Sequence, residues 1–368
     1  MELTNLQKLP APLLAWYDEN RRALPWREQV SPYRTWVSEI MLQQTRVQAV
    51  LPYFQRFMEA APDVAALAAL PDQQLMRLWQ GLGYYSRARN LKKAARSIME
   101  DCGGVFPDSY DGLRRLAGIG DYTAGAILSI AFGQAVPAVD GNVLRVAARL
   151  TGDSGNVLEP KVRAAFRQAM AETMPHDRPG DFNQALMDLG AAVCLPGGKP
   201  LCGQCPAASF CAARQQGTQA LLPVREKKKE KREVHLTVFV MEREDGAAAL
   251  RQRPNTGLLA GLWEYPHAEG ELDEAAAAAQ LTSWGVTVLR WERTLHAKHE
   301  FTHLRWQMTG YVLTVAGPGQ PDWLWADAAA RRQRAIPSAF QVFTAALEDG
   351  AAGEKSDKGD RHDGTALL

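Results

Sequence analysis

The sequence predicts a mainly α-helical domain followed by a smaller α+β domain. Three observations carry that reading. Apolar residues recur at spacings of three and four from the N-terminus to about residue 216, the period of helices that bury one face. Arg225-Glu-Lys-Lys-Lys-Glu-Lys-Arg-Glu233 then contains no apolar residue, so it cannot join a core and reads as a solvated linker. Beyond it the apolar residues begin to alternate, as in a half-buried strand.

The helical spacing appears in Leu13–Tyr17, Val64–Leu78, Ala94–Met99, Leu113–Leu116, Ala124–Ile130, Val143–Leu150, Val162–Met170 and Ala185–Val193. Pro52, Pro62, Pro71, Pro107, Gly152 and Pro179 are expected to separate these segments. Past the linker, Val234–Met241 and Leu304–Val315 read as strands, with Ala275–Leu281 as a helix between them. The expected domains are residues 1–216 (helical), 217–233 (basic linker) and 234–350 (α+β). The Gly-, Asp- and Lys-rich tail at 351–368 is expected to be disordered.

At 368 residues the chain is long for one domain, and its 46% apolar content supplies two cores. No run approaches the ~18 apolar residues of a membrane span. The start lacks a basic-then-apolar leader, so the chain is expected to work in the bacterial cytoplasm, at the nucleoid when bound to DNA. A net charge of +1 means that any nucleic-acid binding rests on local patches. Four of the five cysteines fall within eighteen residues, which reads as a metal site rather than a disulfide scaffold.

The most informative stretch is Leu116-Ala-Gly-Ile-Gly-Asp-Tyr-Thr-Ala-Gly, followed by Val139-Asp140-Gly-Asn142. Gly118 and Gly120 frame an aliphatic residue between two helical segments. Such a hairpin lets backbone N–H groups approach an anion, and the next helix N-terminus adds its dipole. The same residues also suit a plain helix–helix turn, and Asp140 a plain N-cap. Cys194, Cys202, Cys205 and Cys211 form a C-x7-C-x2-C-x5-C cluster, a donor set for either an iron–sulfur cluster or zinc.

The hairpin-to-aspartate arrangement resembles the helix-hairpin-helix DNA glycosylases related to endonuclease III. Leu24-Pro-Trp-Arg27, Trp36-Val-Ser-Glu39-Ile-Met-Leu-Gln-Gln-Thr45, Gly81-Leu-Gly-Tyr-Tyr85 and the cysteine cluster are similar to the adenine DNA glycosylase branch, which acts on adenine opposite 8-oxoguanine. The likeness runs from about residue 10 to residue 345. It implies a helix-hairpin-helix glycosylase domain holding one 4Fe–4S cluster on Cys194, Cys202, Cys205 and Cys211. The family's usual first gap between cysteines is six residues; here it is seven, and Lys199 is the one basic residue in that loop.

By this resemblance Glu39 is the catalytic acid. It sits between Val37, Ile40 and Met41, and apolar surroundings raise a carboxyl pKa towards neutrality. Asp140 matches the second carboxylate, which steadies the sugar cation. Asn142 and Tyr122 align with residues that order the sugar or water. Strand-cutting relatives carry a lysine at the Tyr122 position for a Schiff base; a phenol cannot form one. Gln43 and Tyr84 resemble wedge residues that fill the gap left by an extruded base. Arg27 and Gln184 align with pocket residues, although Leu24–Arg27 also suits a packed helix start. Trp26 and Leu42 suit a core or the pocket walls.

Arg251 to Pro266 resembles the opening of a Nudix domain. The family's catalytic helix should follow, yet Glu274-Ala-Ala-Ala-Ala-Ala-Gln280 has almost no metal ligands, so pyrophosphate hydrolysis is not expected. Phe301-Thr302-His303 aligns with a loop that recognises 8-oxoguanine in relatives. His296, His299 and His303 have helix-like spacing in a segment that reads as strand and loop, so no metal is assigned to them. The expected function is a monofunctional glycosylase that excises adenine opposite 8-oxoguanine or guanine in base excision repair. Its partner is duplex DNA carrying either mispair, and it is expected to be monomeric. The alternatives are a glycosylase-lyase of the same superfamily and a non-catalytic DNA-binding protein.

Overall fold

The computed structural model describes residues 4–197, 199–225, 231–301 and 303–356. The chain divides into two compact units: residues 1–70 with 86–228, and Pro71–Tyr85 with the segment from Lys229 onward.

Among its described residues the first unit is helical. Its longer helices are Pro10–Asn20, Pro32–Leu42, Val47–Ala60, Ser86–Asp101, Asp121–Phe132, Gly141–Thr151, Pro160–Thr173 and Pro179–Ala192. The three-and-four spacing becomes contact: Leu13, Tyr17, Val146, Leu150, Phe166, Met170, Phe182, Leu186 and Leu189 share one core. The helix carrying Glu39 starts at a strong signal. Ser31 accepts from Arg34 N at 3.1 Å and Pro32 stands at the first helical position.

Two proline expectations come out differently. Pro52 lies inside the helix Val47–Ala60. A mid-helix proline costs roughly 3 kcal/mol, and here burial of Val50, Phe54 and Phe57 on that helix outweighs the lost hydrogen bond. Pro71, in contrast, divides the Val64–Leu78 pattern into helices Val64–Ala69 and Asp72–Trp79. Leu70 takes the extended backbone, φ −58° and ψ 130°, that a following proline favours.

The second unit is built on a mixed sheet of strands β1 (Arg232–Glu242), β2 (Ala248–Gln252), β3 (Trp263–Glu264), β4 (His267–Glu269), β5 (Thr287–Glu300), β6 (Leu304–Ala316) and β7 (Trp323–Ala326). The order is β3-β2-β1-β6-β5, with β4 on β1 and β7 on β2. β1 and β6 run parallel; the other pairs are antiparallel. Alternate residues of β1 feed two cores. Leu236, Val238 and Val240 pack with Phe340, Phe343 and Leu347, whereas Phe239 and Met241 pack with Ala277 and Leu281. Each face of the strand therefore receives one helix, Gln341–Ser356 or Glu274–Ser283.

Within this unit Glu264 is buried and accepts from Arg251 at 2.8 Å and Arg253 at 2.5 Å. Helix Asp72–Trp79 buries Leu75 and Trp79, and the side-chain amides of Gln73 and Gln80 donate to the carbonyls of Gln333 and Ile336, each at 3.0 Å. Helical patterning alone does not distinguish this segment from its sequence neighbours. Part of the expected linker, residues 226–230, and residues 357–368 of the tail lie outside the described residues.

Candidate active site

Helices Pro32–Leu42, Asp121–Phe132, Gly141–Thr151 and Pro179–Ala192 line a cleft of about 620 Å³ in the first unit. Glu39, Tyr122, Asp140, Asn142, Arg27, Gln184, Trp26 and Leu42 all open into it. Gln43, Gly118 and Gly120 do not line the cleft.

Glu39 is 5% exposed. Tyr122 Oη donates to its Oε2 at 2.6 Å. Burial pushes the Glu39 carboxyl up to about 7; the Tyr122 bond opposes that rise, the Asp140 charge adds to it and Arg27 opposes it. Burial, Glu39 and Asp140 hold the Tyr122 phenol well above its usual range, so it stays a donor. The hydroxyl also reaches Met187 Sδ at 3.6 Å. Glu39 is thus held towards its protonated form near neutral pH, beside a phenol that stays protonated itself.

Asp140 is the N-cap of helix Gly141–Thr151. Its Oδ1 accepts from the backbone N–H groups of Asn142 and Val143, both at 2.8 Å, and its Oδ2 accepts from Asn142 Nδ2 at 2.8 Å. Capping and facing the cleft are therefore the same placement, and the two sequence readings of this residue do not compete. Arg145 Nη2 in turn donates to Asn142 Oδ1 at 3.0 Å.

Arg27 sits in the short helix Pro25–Glu28. Its guanidinium grips Asp188 with two bonds, 2.8 and 3.0 Å. Arg22 shares the same carboxylate, from Nε at 2.8 Å. Burial works against the Asp188 charge, but the two arginines prevail and hold its pKa below the usual range. Asp188 and Arg22 were not identified from the sequence. The signal available was Asp188 on the inward side of an apolar helix, a position a carboxylate occupies only when paired. Trp26 is buried and packs edge-on against Phe54 at 5.2 Å.

The hairpin joins helix Tyr110–Arg114 to helix Asp121–Phe132. Gly118 has φ +79°, and a Cβ there would come within 2.8 Å of Asn90 Cβ, so geometry and space both demand glycine. Gly120 has φ −89° and nothing within 4 Å of its Cβ position. It leaves the helix start open to an approaching group. Gln43 follows the Glu39 helix, with its Nε2 on Thr123 Oγ1 at 3.5 Å. Tyr84 belongs to the second unit, 45% exposed and at φ +48°.

Cys194, Cys202, Cys205 and Cys211 line one cavity with Arg149 and Arg214. Arg149 Nη1 reaches Cys194 Sγ at 3.3 Å. Burial and the three neighbouring thiols push Cys205 up to about 11, and burial raises Cys211. Among the described residues, no three His, Cys, Asp or Glu side chains stand close enough to hold a single metal ion. A cluster differs from an ion in placing each thiolate on its own iron, which leaves the sulfurs well apart. Four thiols converging on one cavity beside an arginine fit such a group. Of the three histidines, His296 and His299 lie on β5, and His303 is exposed beyond it.

In the second unit Phe301 packs edge-on against His299 and Trp306, at 4.7 and 4.8 Å. Its N–H donates to Leu304 O at 2.9 Å, closing the β5–β6 turn. Thr302 lies outside the described residues.

This fold and cleft define a class of DNA repair protein. Residues 37–172 match the HhH-GPD superfamily of base excision DNA repair proteins and residues 237–346 match the NUDIX domain. A solved thermostable thymine-DNA glycosylase aligns with a TM-score of 0.54 at 27% identity, covering 58% of this chain and 98% of that one. The adenine DNA glycosylase of Rattus norvegicus is 34% identical, with 83% of this chain and 70% of that protein covered. The Homo sapiens adenine DNA glycosylase is 36% identical over 83% of this chain and 66% of its own length, so this chain spans about two thirds of the relatives it matches. The chain belongs to the adenine DNA glycosylase family. Among the described residues no helix is long and apolar enough to cross a membrane.

Proposed function

We propose that this protein is a monofunctional adenine DNA glycosylase that removes adenine mispaired with 8-oxoguanine, or with guanine, from duplex DNA. The observation that carries the reading is the 2.6 Å bond from Tyr122 Oη to Glu39 Oε2 in a cleft that Asp140 also lines. One carboxyl is poised to give a proton near pH 7 and the other is held by three N–H donors.

Adenine leaves its sugar readily only when a ring nitrogen is protonated, and Glu39 supplies that proton. Positive charge then grows on the sugar ring, and the Asp140 carboxylate lies where it can stabilise it. Water completes the reaction at the anomeric carbon. Tyr122 stands in the cleft where strand-cutting relatives carry a lysine, and a phenol forms no Schiff base, so the product is an intact strand with an abasic site. Arg27 and Gln184 line the cleft as contacts for the extruded base, held in place by Asp188 on the Arg27 side. The Gly118–Gly120 hairpin offers N–H groups to a backbone phosphate, Gln43 acts as a wedge that enters the duplex as the base leaves, and Tyr84 has a wedge role of its own. Phe301, Thr302 and His303 are the contacts for the opposing 8-oxoguanine. Cys194, Cys202, Cys205 and Cys211 would hold one 4Fe–4S cluster, whose contribution is to fix the surrounding loop. The protein acts as a monomer.

A single-turnover assay on a labelled duplex with adenine opposite 8-oxoguanine tests this reading. Breakage only after alkali is expected. Breakage without alkali would make the protein a lyase, and none in either lane would leave a DNA-binding protein.

A further inference from the structure

One buried guanidinium holds the end of the Glu39 helix. Helix Pro32–Leu42 stops without a glycine: Gln43 leaves helical backbone at φ −55° and ψ 114°, and Gln44 takes φ +58°. That left-handed backbone is unfavourable for a residue with a side chain unless the surroundings impose it. A helix end also leaves its last carbonyls without partners. Arg87, on helix Ser86–Asp101, answers both needs. Its Nη1 donates to the carbonyls of Ile40, Met41 and Gln43 at 2.8, 2.9 and 2.6 Å. Its Nη2 reaches Thr45 Oγ1 at 3.3 Å. A cation at this end is also favoured by the helix dipole. Arg87 thus holds the Gln43 carbonyl on one side of Gln44 and the Thr45 hydroxyl on the other, whereas among the described residues the Gln43 side chain makes one hydrogen bond, the 3.5 Å contact to Thr123.

We propose that Arg87 is a positioning residue for base extrusion: it fixes the Gln43–Gln44–Thr45 turn so that Gln43 enters the duplex as adenine leaves. This rests on the reading of Gln43 as the wedge. A lysine keeps the charge but lacks the flat fork that spans three carbonyls and a hydroxyl.

The test compares full-length protein with Arg87→Lys and Arg87→Met, in single turnover on two duplexes. One has adenine opposite 8-oxoguanine. The other has the same adenine opposite a tetrahydrofuran abasic analogue, where no base pair has to break. The expected result is a loss on the order of 100-fold on the paired duplex, with near wild-type rates on the unpaired one. In a Gln43→Ala background the Arg87→Lys change should add little further loss. Equal losses on both duplexes would overturn the proposal, because the clamp would then serve only the placement of Glu39. Unchanged rates on both would overturn it as well. Should Arg87→Met not fold, Arg87→Lys carries the same comparison. Wild-type protein that excises adenine from neither duplex would instead remove the glycosylase reading itself.

Discussion

Asn142 Oδ1 accepts a hydrogen bond from Arg145 Nη2 at 3.0 Å, while Arg145 Nε donates to the carbonyl of Cys194 at 2.9 Å. An arginine only donates and a carboxylate only accepts, so the Asn142 amide can satisfy both neighbours in one orientation. Its Nδ2 then faces Asp140. The Cys194 carbonyl is in this way joined to the cleft residue Asn142 by the Arg145 side chain. Arg145 also donates to Gly190 O at 2.8 Å.

Replacing Arg145 by Gln should loosen both ends of that connection. Each buried carbonyl left without a donor costs about 1–3 kcal/mol. Thermal unfolding should occur at lower temperature, and single-turnover excision should slow by about tenfold or more, through the misaimed Asn142. A variant with wild-type rate and unchanged melting would show that the connection is incidental.

The Glu39 carboxyl sets a pH dependence. Its folded value of about 7 lies above the ordinary 4.5, so the folded state binds this proton more tightly than the unfolded chain. Stability from this group is highest below pH 4.5 and falls until pH passes about 7, by roughly 3 kcal/mol. The excision rate should fall above pH 7 as the proton is lost. Glu39→Gln should abolish excision, retain duplex binding and flatten the stability curve. Tyr122→Phe removes the bond that favours the carboxylate, so the falling limb should move to higher pH. A limb that stays in place would assign it to another group.

The two hairpin glycines should respond differently to alanine. Gly118→Ala forces a side chain onto φ +79° and against Asn90, a cost of about 1–3 kcal/mol that lowers the melting temperature. Gly120→Ala meets open space at an ordinary φ and should leave stability nearly unchanged. It should still weaken duplex binding, measured by fluorescence anisotropy, because the methyl stands where a phosphate would approach. Equal melting temperatures for the two variants would contradict the geometry.

Asp188→Asn tests the buried pair. Only 1% of the side chain is exposed, and two arginines converge on it. Losing its charge leaves both cations facing a neutral amide, a cost of about 3–5 kcal/mol when a buried pair is broken. Because its pKa is depressed, its stabilising effect is present above the ordinary carboxylate range and disappears as pH falls through the lower folded value. Chemical denaturation of wild type and Asp188→Asn should therefore converge at low pH. Parallel curves at all pH values would show that the pair contributes nothing.

Much of the fold was legible because it is local. Helix spacing in Val143–Leu150 and Ala185–Val193 reports apolar burial, and apolar residues of both segments lie in the same core. The strands at Val234–Met241 and Leu304–Val315 were readable from their apolar runs. Strand β5, which alternates exposed and half-buried residues, was not, because its charged and aromatic side chains disguise the period. Pro52 misled for a related reason: a breaker acts on the local backbone, and tertiary burial overrode it.

The sequence by itself determined the family and the chemical types at the site: an acid in apolar surroundings, a second carboxylate, a phenol where an amine would cut the strand, and four thiols. Those depend on residue identity and short spacing. Only the tertiary structure decided that Tyr122 donates to Glu39, that Asp188 is shared by Arg22 and Arg27, that Arg87 holds the Gln43 carbonyl and that Arg145 holds the Cys194 carbonyl. These partners are separated by tens to more than a hundred residues, so no local pattern records them; packing of helix on helix brings them within hydrogen-bonding reach.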